Sequence, residues 1–588
     1  MKTMPVTRKL TIIAQDPSVT DAAKKILRSQ VSIAHEKLGP GPRGYRVHVV
    51  DYDASQKVLY KPAVLDSGNG DRFADAPDSV LLNDPEFHAQ NCYAVIMRIL
   101  ERFEFALGRR ISWGFGGHQL HVAPHAFAEA NAYYSEDDYG LFFGYFPGNG
   151  GATVYNCLSH DVIAHETCHA LLDGLRESYT FPSYPDQAGF HEGYADIVAL
   201  LSVFGLRDIV SKLLPETRPG SNRIPKKVLG DDALRRSMLM GLAEQFGQET
   251  SGFRDKALRC AAELPPDKKA ATEESFEECH VRGQILSSAV LNAFLRIWRN
   301  RLESWLPAAD AEVPKDRVVE DGCDAAEHLL SMVIRALDYC PVVDLAFSDF
   351  LSALITADAE LMPNDGKYKY RTVLLEEFSR WGIEPASQQP PWASDEKRTA
   401  DDGASPEPGA WQQPKDREGL SYEGIHRESL ERDRDEVFKF IWENRHRLGI
   451  FEDVFTRVNS VRPCFRMGAG GFHIRETVSE YVQMLDMEAG RLQDLGIRKP
   501  EEMPDDANVR LRGGGVLIFD EFGLLKYHVR SRLDNADRQS RRLEYLWRNG
   551  IADSDGRYGF SDGTSPGQRF ALMHLRRSGR AGRKEEWA

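Results

Sequence analysis

Residues 158 to 174 read Leu158-Ser159-His160-Asp161-Val162-Ile163-Ala164-His165-Glu166-Thr167-Cys168-His169-Ala170-Leu171-Leu172-Asp173-Gly174, and further on stands His191-Glu192-Gly193-Tyr194-Ala195-Asp196. The first segment has the apolar content of a buried helix. On such a helix His165 and His169, four apart, put their imidazoles on one face, one turn above the other. That spacing grips one metal ion with two neutral nitrogens. Glu166 lies about 100° round the helix from His165. It can serve a water at the metal without entering the coordination shell.

This is the HExxH pattern of zinc hydrolases, in which the carboxylate is the general base. A catalytic zinc usually takes three protein ligands and keeps a fourth position open. Glu192 is the expected third ligand. Glu192 and Asp196 are again i and i+4, in a segment from Gly189 to Phe204 that reads as a buried helix. One carboxylate can face the metal while the next accepts a hydrogen bond from a ligand imidazole, fixing its tautomer. The competing reading is a pair of structural histidines in a core. The apolar helical setting and the downstream Glu-x-x-x-Asp argue for the metal.

These residues resemble the thermolysin-like gluzincin metallopeptidases. The resemblance extends to Asn131-Ala132-Tyr133-Tyr134, similar to the family's strand before the metal helix, and to His280-Val281-Arg282-Gly283-Gln284-Ile285-Leu286. It covers roughly residues 90 to 305. The whole chain also looks like a group of bacterial cytosolic proteins of unassigned substrate that share this core. The resemblance implies an α+β, two-lobed fold, a strand-bearing N-terminal lobe facing a helical one across a cleft. It implies one Zn²⁺ per chain held by His165, His169 and Glu192, with Glu166 as general base. It implies that Asn131 holds substrate backbone and that His280 stabilises the tetrahedral intermediate. For His280 the competing reading is a surface histidine in an acidic loop containing Glu273, Glu274, Glu277 and Glu278. The family's tyrosine falls near Tyr179, with Tyr184 competing. Its substrate-contacting arginine falls near Arg236, where a structural salt bridge is an equal reading. Asp161 and Asp173 match acidic positions flanking the family's metal helix. A Ca²⁺ site on Asp161 would need further oxygen ligands that the sequence does not point to. Cys168 reads as packing.

Length and composition set bounds on the rest. The chain has 588 residues, 42% hydrophobic and 28% charged, as soluble multidomain proteins do. A net charge of −15 implies no basic face, so nucleic acid is not an expected partner. No stretch has the length and apolarity of a membrane span or a signal segment. The eight cysteines include no CxxC pair and read as reduced thiols. The expected setting is cytoplasmic, unlike the secreted members of the family, which carry a signal and a propeptide.

Four regions follow: an N-terminal α/β lobe (1–157), a zinc-binding helical lobe (158–383), a Pro-rich linker (384–420) and a C-terminal α+β region (421–588). Residues 7–15 and 45–61 alternate as half-buried strands do. Thr20 to Leu38 reads as a helix. Pro85 to Leu107 reads as a second one, with Pro85 at its first position and Asp84 as N-cap. Strands are expected around His121-Val122 and from Leu141 to Phe146. Helices are expected at Ala233–Phe246, Gly283–Leu302, Cys323–Leu337 and Val343–Ala357. In the last region a charged helix from Ser429 to His446 precedes irregular sequence. A hairpin then runs from Val509 through Asp520-Glu521-Phe522-Gly523 to Val529. The glycine runs at Gly148, Gly468 and Gly513 lack the Lys-Ser/Thr of a phosphate loop.

Two functional readings follow. One is a cytoplasmic zinc peptidase acting on a protein or peptide. The other is a binding or regulatory protein on the same scaffold with catalysis weak or lost. The complete set His165, Glu166, His169 and Glu192 favours the peptidase. Without a visible propeptide, restraint is expected from a protein regulator or from residues 421–588 packing over the helical lobe and narrowing the cleft.

Overall fold

β1 (Thr7–Ile13) pairs antiparallel with β2 (Arg28–Ala34), in register from Thr7 opposite Ala34 to Ile13 opposite Arg28. The helix expected over 20–38 is therefore a strand where the backbone is regular. Ser29, Val31 and Ile33 are buried while Gln30, Ser32 and Ala34 are exposed. Period-two burial against β1 overrides the local helical pattern. The computed structural model describes residues 6–17, 20, 24–65, 70–148, 151–214, 216–218, 220–230, 234–235, 264–270, 278–306, 312–386, 407–414, 419–551 and 557–558. Among these residues the chain is a mixed α+β protein.

A short β3 (Val47–Val49) follows, then helix α1 (Pro85–Leu107), which begins as its sequence predicts. The Asp84 side chain accepts the Glu86 N–H at 2.9 Å, and Pro85 occupies the first turn, where no N–H is needed. It ends at Gly108 in the left-handed conformation (φ 67°). Nearly the whole helix is buried, so it acts as the spine of the N-terminal half.

Four more strands complete the sheet: β4 (Leu120–Phe127), β5 (Ala132–Ser135), β6 (Gly140–Pro147) and β7 (Thr153–Tyr155). The order is β3-β4-β6-β5, with β7 also pairing to β6. β3, β4 and β6 run parallel to one another, and β5 and β7 are antiparallel to β6.

The chain then enters α2 (His160–Leu175) and α3 (Pro185–Phe204). Helices α4 (Cys279–Glu303), α5 (Lys315–Ala336) and α6 (Phe347–Leu361) pack around α3. α3 and α4 approach each other closely. A Cβ added at Gly193 would lie 2.5 Å from the Gly283 carbonyl oxygen, and one at Gly283 would lie 2.8 Å from the Gly193 nitrogen. Only glycine at both positions lets the backbones touch, and that contact sets the height of His280 relative to Glu192. The helix expected at Ala233–Phe246 and residue Arg236 lie outside the described residues, apart from 234–235.

The C-terminal part is a four-stranded antiparallel meander in sequence order: β8 (Phe455–Met467), β9 (His473–Glu488), β10 (Asn508–Phe519) and β11 (Leu525–Ser531). The hairpin expected near Asp520 is β10–β11. The stretch expected to be irregular instead forms β8 and β9, the longest strands of the protein's described residues. The expected 429–446 helix is broken into Arg427–Leu430, Arg434–Glu443 and Arg445–Leu448, the second capped by Asp433. Gly514 in β10 sits at φ +147°, and a Cβ there would lie 2.3 Å from the Tyr481 carbonyl oxygen on β9. The glycine run is thus a strand-packing device.

This sheet shares its apolar core with the helical body, Cys464, Val478, Val516 and Ile518 packing in one cluster with Tyr194 and Leu337. Of the Pro-rich segment, residues 407–414 are described, and there Trp411 is buried. Its backbone N–H donates to Thr356 Oγ1 and its indole N–H to the Tyr339 carbonyl, each at 2.8 Å. Among the described residues no helix is long and apolar enough to cross a membrane.

Candidate metal centre

Helix α2 brings His165 and His169 together as the i, i+4 spacing requires. Their Nε2 atoms are 2.9 Å apart and their rings are perpendicular. Glu192, on α3, places Oε2 3.5 Å from His165 Nε2 and Oε1 3.8 Å from His169 Nε2. One donor atom from each residue lies within 4.8 Å of the others, and all three side chains are buried. Two imidazole nitrogens and a carboxylate oxygen form a donor set suited to zinc. The residues present therefore fit a divalent transition ion.

Asp196, one turn beyond Glu192, turns its carboxylate to the far side of His165, with Oδ1 2.9 Å from Nδ1. A carboxylate only accepts, so Nδ1 carries the proton and Nε2 presents its lone pair to the cluster. Burial lowers the His165 pKa, but the hydrogen bond to Asp196 and then Glu192 outweigh it and raise it to about 10, so a metal must displace the Nε2 proton before that lone pair can bind. Glu166 follows His165 on the same helix and is fully buried.

His280, in the first turn of α4, also joins the cluster. Its Nε2 is 3.3 Å from Glu192 Oε2, while Nδ1 is 2.7 Å from Glu278 Oε1. Glu278 is the N-cap of α4, its side chain accepting the Val281 N–H at 2.9 Å. One carboxylate thus ends the helix and steadies the ring. Two contributors escape sequence reasoning. Glu278 reads as one of several loop acids, and only a cap position three residues before an apolar helix hints otherwise. His191, beside Glu192, stacks on His169 with centroids 4.6 Å apart and planes 19° from parallel.

The structure does not bring Tyr179 to this cluster. It is buried, its hydroxyl donates to the Pro341 carbonyl at 2.6 Å, and its ring meets Phe190 edge-on. Tyr184 is buried at the start of α3, under the Arg541 guanidinium. Asn131 stands at the entry of β5. Its Oδ1 accepts the Ala132 N–H, and its Nδ2 has no hydrogen-bond partner among the described residues. Asp161 is used locally, accepting from the Ser159 hydroxyl and the Val162 N–H. Asp173, at the other end of α2, accepts from the Tyr134 hydroxyl at 2.7 Å. Burial, then Glu136, push its carboxyl up to about 7.

A cavity of about 560 Å³ opens at that end of α2, between Trp113, Asp173 and Arg176 on one side and Arg462, Glu480 and Arg512 on the other. None of the clustered histidines lines it. Converging donor atoms, not the presence of a cavity, mark the candidate site, and they lie in the buried cluster. No family model matches the chain, and no curated protein does either.

Proposed function

We propose that this protein is a zinc-dependent peptidase of the thermolysin-like, two-lobed type, acting on a protein or peptide substrate. The observation that carries the reading is the joint arrangement of His165, His169 and Glu192 with Asp196 behind one ligand and His280 beside another. A structural pair of histidines has no need of a third donor converging on the same point, nor of a carboxylate behind the ring.

Zinc held by these three residues would act as a Lewis acid on a carbonyl and make a bound water a nucleophile at neutral pH. Glu166 is then the general base, taking a proton from the attacking water and returning it to the departing amine. Its burial keeps other water from competing for that proton. Asp196 fixes His165 in the tautomer that ligation needs. His280, its Nδ1–H held from behind by Glu278, is the candidate donor toward the oxygen on which charge develops, a role that requires its Nε2 to carry a proton as well. Asn131 is the candidate backbone holder.

The test compares wild type with Glu166→Gln on a proteome-derived peptide library, with metal content measured in parallel. General-base catalysis supplies about 10²–10⁴ in rate, so the variant should keep its metal and lose hydrolysis by at least about 10². Equal cleavage by the two proteins would reject the assignment of Glu166. No cleavage by a metal-loaded wild type would favour the binding or regulatory reading.

A further inference from the structure

A second cluster of metal-binding side chains lies away from the first, and its residues are scattered over seventy positions of sequence. His88 is on α1, His125 on β4, and Cys157 in the single 3₁₀ turn Asn156–Leu158 that leads into α2. All three are buried, and one donor atom from each lies within 4.8 Å of the others. His88 Nδ1 and His125 Nε2 face each other at 2.7 Å. Behind His125 stands Asp51. Its Oδ2 is 2.7 Å from Nδ1 of the ring, and its Oδ1 accepts the His125 backbone N–H at 3.0 Å.

The geometry decides what this cluster is for. Asp51 only accepts, so His125 Nδ1 is the protonated nitrogen and Nε2 turns a lone pair into the cluster. Two ring nitrogens at that separation need something electropositive between them, either a proton or a metal ion. A proton is satisfied by two donors. Here a third, the Cys157 sulfur, converges on the same point, as in metal sites. Asp51 behind His125 is the carboxylate–histidine arrangement that orients such ligands. Cys92 lies one turn on from His88 on the same face of α1. Its Sγ is 3.6 Å from the Cys157 carbonyl oxygen, placing a further thiol beside the cluster. The rings of Tyr60 and Tyr155 pack on His125 at 5.0 and 5.2 Å and exclude solvent.

We propose that His88, His125 and Cys157 form the converged part of a second and structural zinc site, which Cys92 completes as fourth donor by turning its thiol away from the Cys157 carbonyl. Two imidazoles and two thiolates make a closed set for a borderline ion, with no position left for substrate. Binding displaces the thiol protons, so the ion's charge is balanced by the thiolates. The site joins the spine helix, the mixed N-terminal sheet and the turn that leads into α2. Its role is to hold the first turn of α2, and through it His165, against the N-terminal half.

The experiment is cobalt substitution of the full-length protein, prepared under reductant, with metal counted per chain. The ligands of the first cluster include no sulfur, and the thiol of Cys279 beside His280 stays in every variant, so a thiolate-to-cobalt charge-transfer band in the near ultraviolet that the change at Cys92 and Cys157 removes reports the second. We expect two equivalents of metal and that band in the wild type. Cys92→Ser/Cys157→Ser should lose the band and one equivalent, while His165→Ala should lose the other equivalent and keep the band. A cobalt-loaded wild type without the band overturns the proposal whatever the variants do. So does a band that survives the double serine change. If His165→Ala leaves both equivalents in place, it is the catalytic site that is misassigned, and the thiolate site stands.

Discussion

Replacing Asp196 tests the proposed catalytic site without touching a proposed ligand. Its carboxylate bonds His165 Nδ1 at 2.9 Å, and the two side chains are only 14% and 11% exposed. A hydrogen bond to a charged group contributes about 1.5–3 kcal/mol, which corresponds to roughly 10- to 150-fold in an equilibrium constant. Asp196→Ala should therefore weaken the His165-dependent metal equivalent by about 10- to 100-fold, in line with other changes behind a ligand. Asp196→Asn keeps an acceptor oxygen but loses the charge. Neutral bonds are about half as strong, so a loss of roughly 3- to 10-fold is expected. Affinity is read by competition with a chromophoric chelator, on proteins whose circular dichroism matches wild type. The ordering matters as much as the size. Asp196→Ala within about twofold of wild type, or Asn weaker than Ala, would show that the bond does not tune the ligand.

Further outcomes follow from other groups. His280→Ala should lower kcat by roughly 10²-fold or more with KM little changed, since its donor is needed most as charge develops; a pure KM effect would move it to substrate binding. Asp173→Asn should raise stability at high pH only. Its folded pKa, about 7 against 3.8, lies above the unfolded value, so its burial weakens the fold as pH rises from about 4 through 7. The cost reaches on the order of 4 kcal/mol above pH 7. Thermal melts of both proteins at pH 5 and 8 check this, and equal gains at the two would contradict it. Arg466→Met should destabilise by about 3 kcal/mol, because it leaves Asp338 and Glu476 short of a buried partner. A midpoint within about 1 kcal/mol of wild type in urea would place the stability elsewhere. In wild type the Asp338 part of that stability is lost in acid. Burial would raise its pKa, but Arg109 and then Arg466 hold it well below 3.8, so the contribution is complete above that value and disappears only as pH falls beneath it.

What the sequence disclosed was what neighbours in the chain decide. The start of α1 was legible because Asp84 and Pro85 act within a turn of the end they mark. The His165–His169 pair was legible because one helix carries both, and Glu192–Asp196 for the same reason. β8 and β9 were not legible, since their apolar alternation is interrupted by Arg462, Arg466, Glu476 and Glu480. Arg466, Glu476 and Glu480 are buried against partners such as Arg176 and Asp338, as much as three hundred residues away. No window of sequence contains that compensation. Tyr179 was placed by distance along the chain from His169. The short 3₁₀ turn at Glu177–Thr180 aims it at Pro341 instead. The His88–His125–Cys157 cluster has no spacing signature, because a helix, a strand and a turn contribute one residue each.

The same long-range ion pairs bear on how the C-terminal region could restrain a peptidase. Arg466 and Arg542 are fully buried, and each pairs with an aspartate of the helical body, Asp338 and Asp344. Arg538 does the same with Asp349, and Arg176 reaches the other way to Glu480. Lifting away the meander together with the helix Ala536–Arg548 that follows it, which carries Arg538 and Arg542, would leave three buried carboxylates without these partners and expose the apolar face that Cys464, Val478, Val516 and Ile518 share with α3 and α5. Breaking even one buried pair costs about 3–5 kcal/mol, and a whole domain commonly has only about 5–15 to lose. A lid that opens and closes in each turnover needs a weaker, wetter contact than this. The meander is therefore part of the body on which α2 rests, and deleting it tests folding before it tests inhibition. On the proposed peptidase reading, restraint falls instead to the burial of the cluster itself, since His165, Glu166, His169, Glu192 and His280 are all buried.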